Sequence, residues 1–222
     1  MQAAVQTSQE KYPFFTPIGF TGGPFKDQRT ATCIIKRPTA EEVEKTTEFA
    51  RSIFVNAFTK KYTEYHANAK TTKSIEEWLV LKEGVKFPDW LNATFDEELK
   101  EYWAEKKGMI YLTDGQDRLI AWLSHSAVDE KGDVYLSQCS LETALQGKGI
   151  VSSAFETVIS QDIFQKIFPG VRTLKLIARK VNEVADHLYV NKAGFTRDET
   201  IDPSIYGDSY DNRYRGYQRA VG

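Results

Sequence analysis

Apolar positions recur along this chain in two different periods, and the switch between them divides it. After residue 30 a short run, "TCIIK", stops at Pro38, and Val43, Thr46, Ala50, Ile53, Phe54 and Ala57 then return at intervals of three and four. That spacing lays them along one face of a helix. Thr39 followed by Glu42 is a capping box, in which each side chain satisfies a backbone N–H the helix start leaves free. From Lys60 to Lys107 the helical period is broken, with candidate helices around "SIEEWLVLKEG" and "TFDEELKEYWAEKK" on either side of Pro88. Beyond Gly108 the runs "MIYLTD", "RLIAWLSHSAV" and "VYLSQCSL" are rich in β-branched and aromatic residues and joined by "DGQD" and "DEKGD" turns. They predict a three-strand antiparallel meander.

The rest of the chain alternates. A helix is predicted from about residue 150 to 167, a buried strand at "TLKLIAR" after Pro169-Gly170, and a short helix in "NEVADHLYVNKAGF" closed by Gly194. Two final strands, "FTRDETI" and "RYRGYQRAV", flank the polar loop "DPSIYGDSYDN". Residues 1–30 show neither period and are predicted to be an irregular extension, although aromatic residues so closely spaced call for packing. Residues 31–222 then form one domain.

Composition narrows the classes. The chain has 222 residues, 41% of them hydrophobic, enough for a sizeable core, and its net charge of -2 comes with basic residues scattered along its length. No basic stripe marks a nucleic-acid partner. No apolar run approaches the ~18 residues of a membrane span, and "MQAAVQTSQEKYPFFTP" has neither a basic nor an apolar leader region. Cys33 and Cys139 stand far apart with no metal-ligand spacing, which reads as two reduced thiols in the cytoplasm and no metal site.

The chemistry concentrates at "LETALQGKGIVSSAFETVI", where a strand passes through two glycines into a helix. Such a junction aims unpaired N–H groups and the positive end of a helix dipole at an anion. Gly147 and Gly149 have the wrong spacing for a P-loop. A dinucleotide motif would need a third glycine where Ser152 stands, and an acidic residue where the next strand ends in Arg179 and Lys180. Two glycines alone are equally satisfied by a tight turn with no ligand.

Gln146-Gly147-Lys148-Gly149-Ile150-Val151 resembles the pyrophosphate-binding motif Q/R-x-x-G-x-G/A of the GNAT superfamily of acyl-CoA-dependent N-acetyltransferases. Downstream, Asn182, Ala185, Leu188 and Tyr189 are similar to the family's N-x-x-A-x-x-L-Y signature, and "CIIKRPTAEEVEK" to its opening strand and capped helix. The resemblance runs from Cys33 to Val221. It implies an α/β fold, with a mixed, mainly antiparallel sheet flanked by helices and a helical insertion before the second strand. It also implies acetyl-CoA as co-substrate, gripped by Leu141, Thr143, Gln146, Gly147, Lys148, Gly149, Ile150, Val151 and Ser152, with Asn182 on the amide arm. Two features depart from the family pattern. Val151 replaces the motif's last small residue, and Tyr189 lies five residues before Gly194 instead of four, so Val190 competes for its place.

The implied reaction moves an acetyl group directly to a primary amine. A backbone N–H near Leu141 would face the thioester carbonyl. Tyr189 is the implied proton donor to the departing sulfur, or else a core aromatic; Asn182 is a cofactor contact, a helix cap, or both. The nearest acids for the base are Asp133 and Glu142, at the two ends of "VYLSQCSL", unless waters serve. Cys139 and the lone His125 read as structural. Asp202, Asp208 and Asp211 among Tyr206 and Tyr210 suggest a cationic acceptor, and the insertion carrying Trp78, Trp90 and Trp103 would shape its cleft. A silent CoA-binding sensor or scaffold fits the same motifs, and a homodimer is compatible with them.

Overall fold

The computed structural model describes residues 18–21, 32–151, 153–154, 163–201 and 214–221. Among these residues eight strands form one sheet: β1 (Ile18–Thr21), β2 (Thr32–Lys36), β3 (Lys107–Thr113), β4 (Leu119–Ser126), β5 (Asp133–Leu141), β6 (Thr173–Arg179), β7 (Thr196–Arg197) and β8 (Tyr214–Ala220). Their order is β1-β2-β3-β4-β5-β6-β8-β7. Each neighbouring pair is antiparallel except β5 with β6. Helices α1 (Ala40–Asn68), α2 (Ile75–Trp78) and α3 (Phe87–Trp103) intervene between β2 and β3; α4 (Ile163–Ile167) precedes β6 and α5 (Glu183–His187) follows it.

Two apolar layers sandwich the sheet. On one face Ile35, Ile110, Val134, Leu174 and Leu176 pack with Ile150, Phe168 and Phe195. On the other, Met109, Tyr111 and Trp122 pack with Phe54, Leu91 and Phe95 of α1 and α3. β3 and β4 are covered on both faces, so six of the seven residues of β3 are buried and polar alternation disappears.

The predicted capping box is present, with Thr39 Oγ1 accepting from the Glu42 N–H (3.1 Å) and Glu42 Oε2 accepting from the Thr39 N–H (2.7 Å). Several boundaries moved. α1 continues past Ala57 to Asn68, because Phe58, Tyr62 and Tyr65 prolong its apolar stripe into the core. Pro88 sits in the first turn of α3, where its missing N–H has no intrahelical role, so it starts a helix rather than separating two. Within the extension predicted to be irregular, Ile18–Thr21 pairs with β2 as an edge strand. β7 is only two residues long.

The pairing of β5 with β6 stops partway along both strands. β5 and β6 pair from Asp133↔Thr173 to Leu136↔Leu176 and then part, although β5 runs on to Leu141 and β6 to Arg179. At that point the β4–β5 register skips Ser137, since Ser124 faces Gln138 and His125 faces Leu136. A bulge of this kind bends its strand. The sheet therefore opens between β5 and β6.

Candidate active site

The end of β5 is shaped by its own sequence. The chain leaves Leu141 through a 3-10 turn, Thr143–Leu145, and the Gln146 side chain donates back from Nε2 to the Leu141 carbonyl (3.3 Å). Gly147 and Gly149 both have φ of 75°, the left-handed region that costs a residue with a Cβ. The Ser153 N–H donates to the Gly149 carbonyl (2.9 Å), which makes Gly149 the residue that caps the following helix. The N–H groups of Ile150 and Val151 then fall in the first turn and lack intrahelical acceptors. Ile150 is 1% exposed and anchors this turn to the core.

A cleft of about 470 Å³ begins at this turn and passes through the opening between β5 and β6. Gly147, Gly149 and Val151 border it at one end and Phe54, Tyr62 and Trp90 of α1 and α3 at the other. Strand alternation assigns its two ends to opposite faces. Ala178 belongs to the layer beneath the glycine turn, whereas Arg179 reaches the α2–α3 side, where Nη1 donates to the Leu79 carbonyl (2.7 Å).

The sequence-predicted residues divide. Leu141, Gln146, Gly147, Gly149, Ile150 and Val151 line the cleft, as do Asn182 and Tyr189. Thr143 and the exposed Lys148 are outside the lining, and Ser152 lies outside the described residues, as does the loop holding Asp202, Asp208 and Asp211. Neither nearby acid reaches the cleft. Glu142 pairs with Arg118 (2.8 Å), and Asp133 pairs with Lys175 (2.5 Å) at the end of β5 where the strands are still joined. His125 is fully buried, with its ring 4.7 Å from that of Phe168, and is no part of the lining.

The extra residue before Gly194 is absorbed in a π-helical turn, Leu188–Lys192, closed by a hydrogen bond from the Ala193 N–H to the Leu188 carbonyl (2.8 Å). Such turns insert one residue without ending the helix. Tyr189 thereby faces the cleft and Val190 packs against the apolar layer. The Tyr189 ring lies 5.8 Å from Phe195 and 5.4 Å from Tyr217. The Tyr217 hydroxyl donates to Asp186 Oδ1 (2.7 Å), which also receives Arg215 (2.9 Å), while Arg197 holds the other oxygen (2.6 Å). Arg197, then Tyr217 and Arg215, hold the Asp186 carboxyl well below the usual aspartate range against its partial desolvation. Asn182 caps α5 through the Ala185 N–H (3.1 Å) and receives Tyr65 from α1 (3.5 Å).

Burial dominates the ionisation of the cleft. It raises the Tyr189 phenol far above its usual value, with the Cys139 thiol adding to the effect, and it pushes Cys139 to about 11. It lowers the Lys61 ammonium. Cys139 thus stays a neutral thiol near pH 7, a poor nucleophile. Tyr189 stays protonated.

Lys61, Tyr62 and Arg179 were not legible as site residues. Lys61 carries one signal: it falls four residues after Ala57, on a stripe that otherwise holds mainly apolar and aromatic residues. Arg179 carries none, since a strand-end arginine is ordinary. Among the described residues no group of three or more His, Cys, Asp or Glu side chains is arranged to hold a metal ion.

The acetyltransferase (GNAT) family profile matches residues 72–195. A GNAT-family acetyltransferase from Staphylococcus aureus Mu50 superposes with a TM-score of 0.50 at 15% identity, over 86% of this chain and 99% of that one. The PaiA N-acetyltransferase of Thermoplasma acidophilum, solved in complex with coenzyme A, superposes with a TM-score of 0.52 at 14% identity, over 85% and 98%. The GNAT domain of S. lividans PAT gives 0.52 at 12% identity, over 92% and 97%. No curated protein matches the sequence significantly.

Proposed function

Because the chain belongs to the GNAT acetyltransferase family, we propose that it transfers the acetyl group of acetyl-CoA to a primary amine inside the cleft between β5 and β6. The reading rests above all on the parting of those strands after Leu136, which opens a passage from the glycine turn to Tyr189. The diphosphate sits on the N–H groups of the Gly147–Val151 turn, where the helix dipole favours negative charge. The amide arm of the cofactor runs beside the unpaired edge of β5 at residues 137–141, with a backbone N–H there polarising the thioester carbonyl.

The acceptor nitrogen attacks as the neutral amine. A C–N bond forms, the C–S bond breaks, and the sulfur departs as a thiolate that takes the Tyr189 proton. The proton lost from nitrogen leaves through water, and the phenolate is reprotonated from solvent. A phenol of pKa ~10 is an unfavourable donor to a thiolate of ordinary pKa ~8.5. Burial raises the Tyr189 phenol as well as a thiol beside it such as Cys139, so it does not make the phenol the stronger acid. The transfer therefore depends on the placement of the hydroxyl against the departing sulfur and on its coupling to C–S cleavage, not on acidity.

Calorimetry with CoA and acetyl-CoA, followed by thiol release from acetyl-CoA across a panel of amines, tests this. Binding with amine-dependent release is the expected result. Binding without release to any amine would leave a CoA-binding sensor or scaffold, and absence of binding would remove the site.

A further inference from the structure

The cleft treats the two signs of charge unequally. Its described lining includes Lys61, Arg179 and Lys192 and no carboxylate. Arg179 is 8% exposed, with its guanidinium 4.7 Å from the Trp90 ring centroid and 5.2 Å from that of Tyr214. One N–H is used on the Leu79 carbonyl; the others meet no acceptor among the described residues. Lys61, from α1, is half-buried 5.7 Å from the Phe58 ring centroid and has no ion-pair partner among them. Elsewhere in the described chain some cations of similar burial find acids, as Lys107 finds Glu98 and Lys175 finds Asp133, whereas Arg219 is met by the Ala193 carbonyl.

A desolvated cation without a counterion is unfavourable, and an anion that arrives with the substrate removes the deficit. The diphosphate of CoA is not that anion in the proposed reading, because its turn lies on the other face of the sheet from Arg179. What remains is the acceptor. The same chamber is walled by Phe54, Tyr62 and Trp90, so the body beside the anion is apolar.

Building on the transferase reading, we propose that the acceptor is an amine carrying a carboxylate beside an apolar body, as an apolar α-amino acid does, with Arg179 and Lys61 holding the carboxylate on the α1–α3 side. A guanidinium fork matches a carboxylate in plane, and its stacking on Trp90 and Tyr214 fixes the orientation before the ligand arrives. The arrangement also serves the chemistry. Positive charge next to the acceptor nitrogen disfavours its ammonium form, which supplies neutral nucleophile where no described carboxylate stands ready as a base. A polycationic acceptor, suggested by the acidic loop at 202–211, would instead meet like charge here.

Thiol release with saturating acetyl-CoA, run on matched pairs, provides the test: L-phenylalanine against phenethylamine, L-leucine against 3-methylbutylamine, and spermidine as the cationic arm. The amino acid is expected to exceed its carboxylate-free partner in kcat/KM by about tenfold or more, the scale of one charge-assisted contact. In Lys61→Met and Arg179→Lys that ratio should fall toward one, with CoA affinity by calorimetry reporting that each variant is folded. Lys61 is less buried than Arg179, so its variant keeps the test available if Arg179→Lys does not fold. A wild-type ratio at or below one, or spermidine as the best acceptor, overturns the inference while leaving the transferase intact. An unchanged ratio in both variants overturns it as well. Release with none of these amines overturns the inference, and CoA binding measured separately decides whether the transferase site stands.

Discussion

The two ends of the cleft are built on different principles. At the glycine turn a ligand would meet backbone: two left-handed glycines, a first helical turn and its free N–H groups, all within residues 146–151. At the far end it would meet side chains that converge from α1, α3, β6 and β8, namely Lys61, Trp90, Arg179 and Tyr214. A backbone cradle suits a group that never varies, such as a diphosphate. Side chains on separate elements can be exchanged one at a time, which suits a partner selected by its own shape and charge. Tyr189 stands between the two, held by a π-helical turn and by the Asp186–Tyr217 hydrogen bond beneath it.

The contrast yields predictions of decreasing size. Gly149→Asp strikes the backbone cradle with both a carboxylate and a Cβ in a left-handed position, and CoA binding by calorimetry should vanish; unchanged affinity would move the phosphate site elsewhere. Tyr189→Phe should lower kcat by about 10²-fold, the usual scale for a general acid, with CoA affinity kept. Full activity in that variant would take the tyrosine out of the mechanism. Trp90→Leu removes one of the aromatic plates around Arg179 and should raise the acceptor KM by about tenfold, a cation–π-sized loss, again without touching CoA. An equal loss of CoA affinity would show that the two ends are not independent.

Smaller effects probe the support. Asp186→Asn removes a charge that three donors share and should lower stability by about 1–3 kcal/mol in chemical denaturation. The sign with pH is determined. Because the folded carboxyl is depressed, the wild-type advantage is fully present above the ordinary aspartate value of ~3.9 and shrinks as pH falls below it, where Asn and Asp converge. Thr39→Ala, far from both ends, should cost about 1 kcal/mol through the lost cap and leave turnover alone, which separates general stability from the site.

How legible the fold and the site were depended on sequence distance. The capping box, the meander and the glycine turn are written within a few residues of one another, and each was readable because local geometry settles it. The length of α1 was not, since its last turns are held by Tyr62 and Tyr65 against partners from α3 and α5. Tyr189 was readable as a candidate, but its choice over Val190 depended on where the chain absorbed one residue. Glu142 and Asp133 looked close to the reaction along the strand, yet each ends in an ion pair outside the cleft, with Arg118 and with Lys175.

By itself the order of residues determined most of the elements, the glycine turn and the family signature, because hydrogen bonds and side-chain periods act over a few positions. Only the tertiary structure decided that the sheet parts after Leu136, that Tyr189 faces the opening, and that Lys61 and Arg179 share one chamber. Those residues come together from positions 61, 136, 179 and 189, and no local rule relates them. What relates them is the packing of two helical layers on opposite faces of a sheet that is open between them.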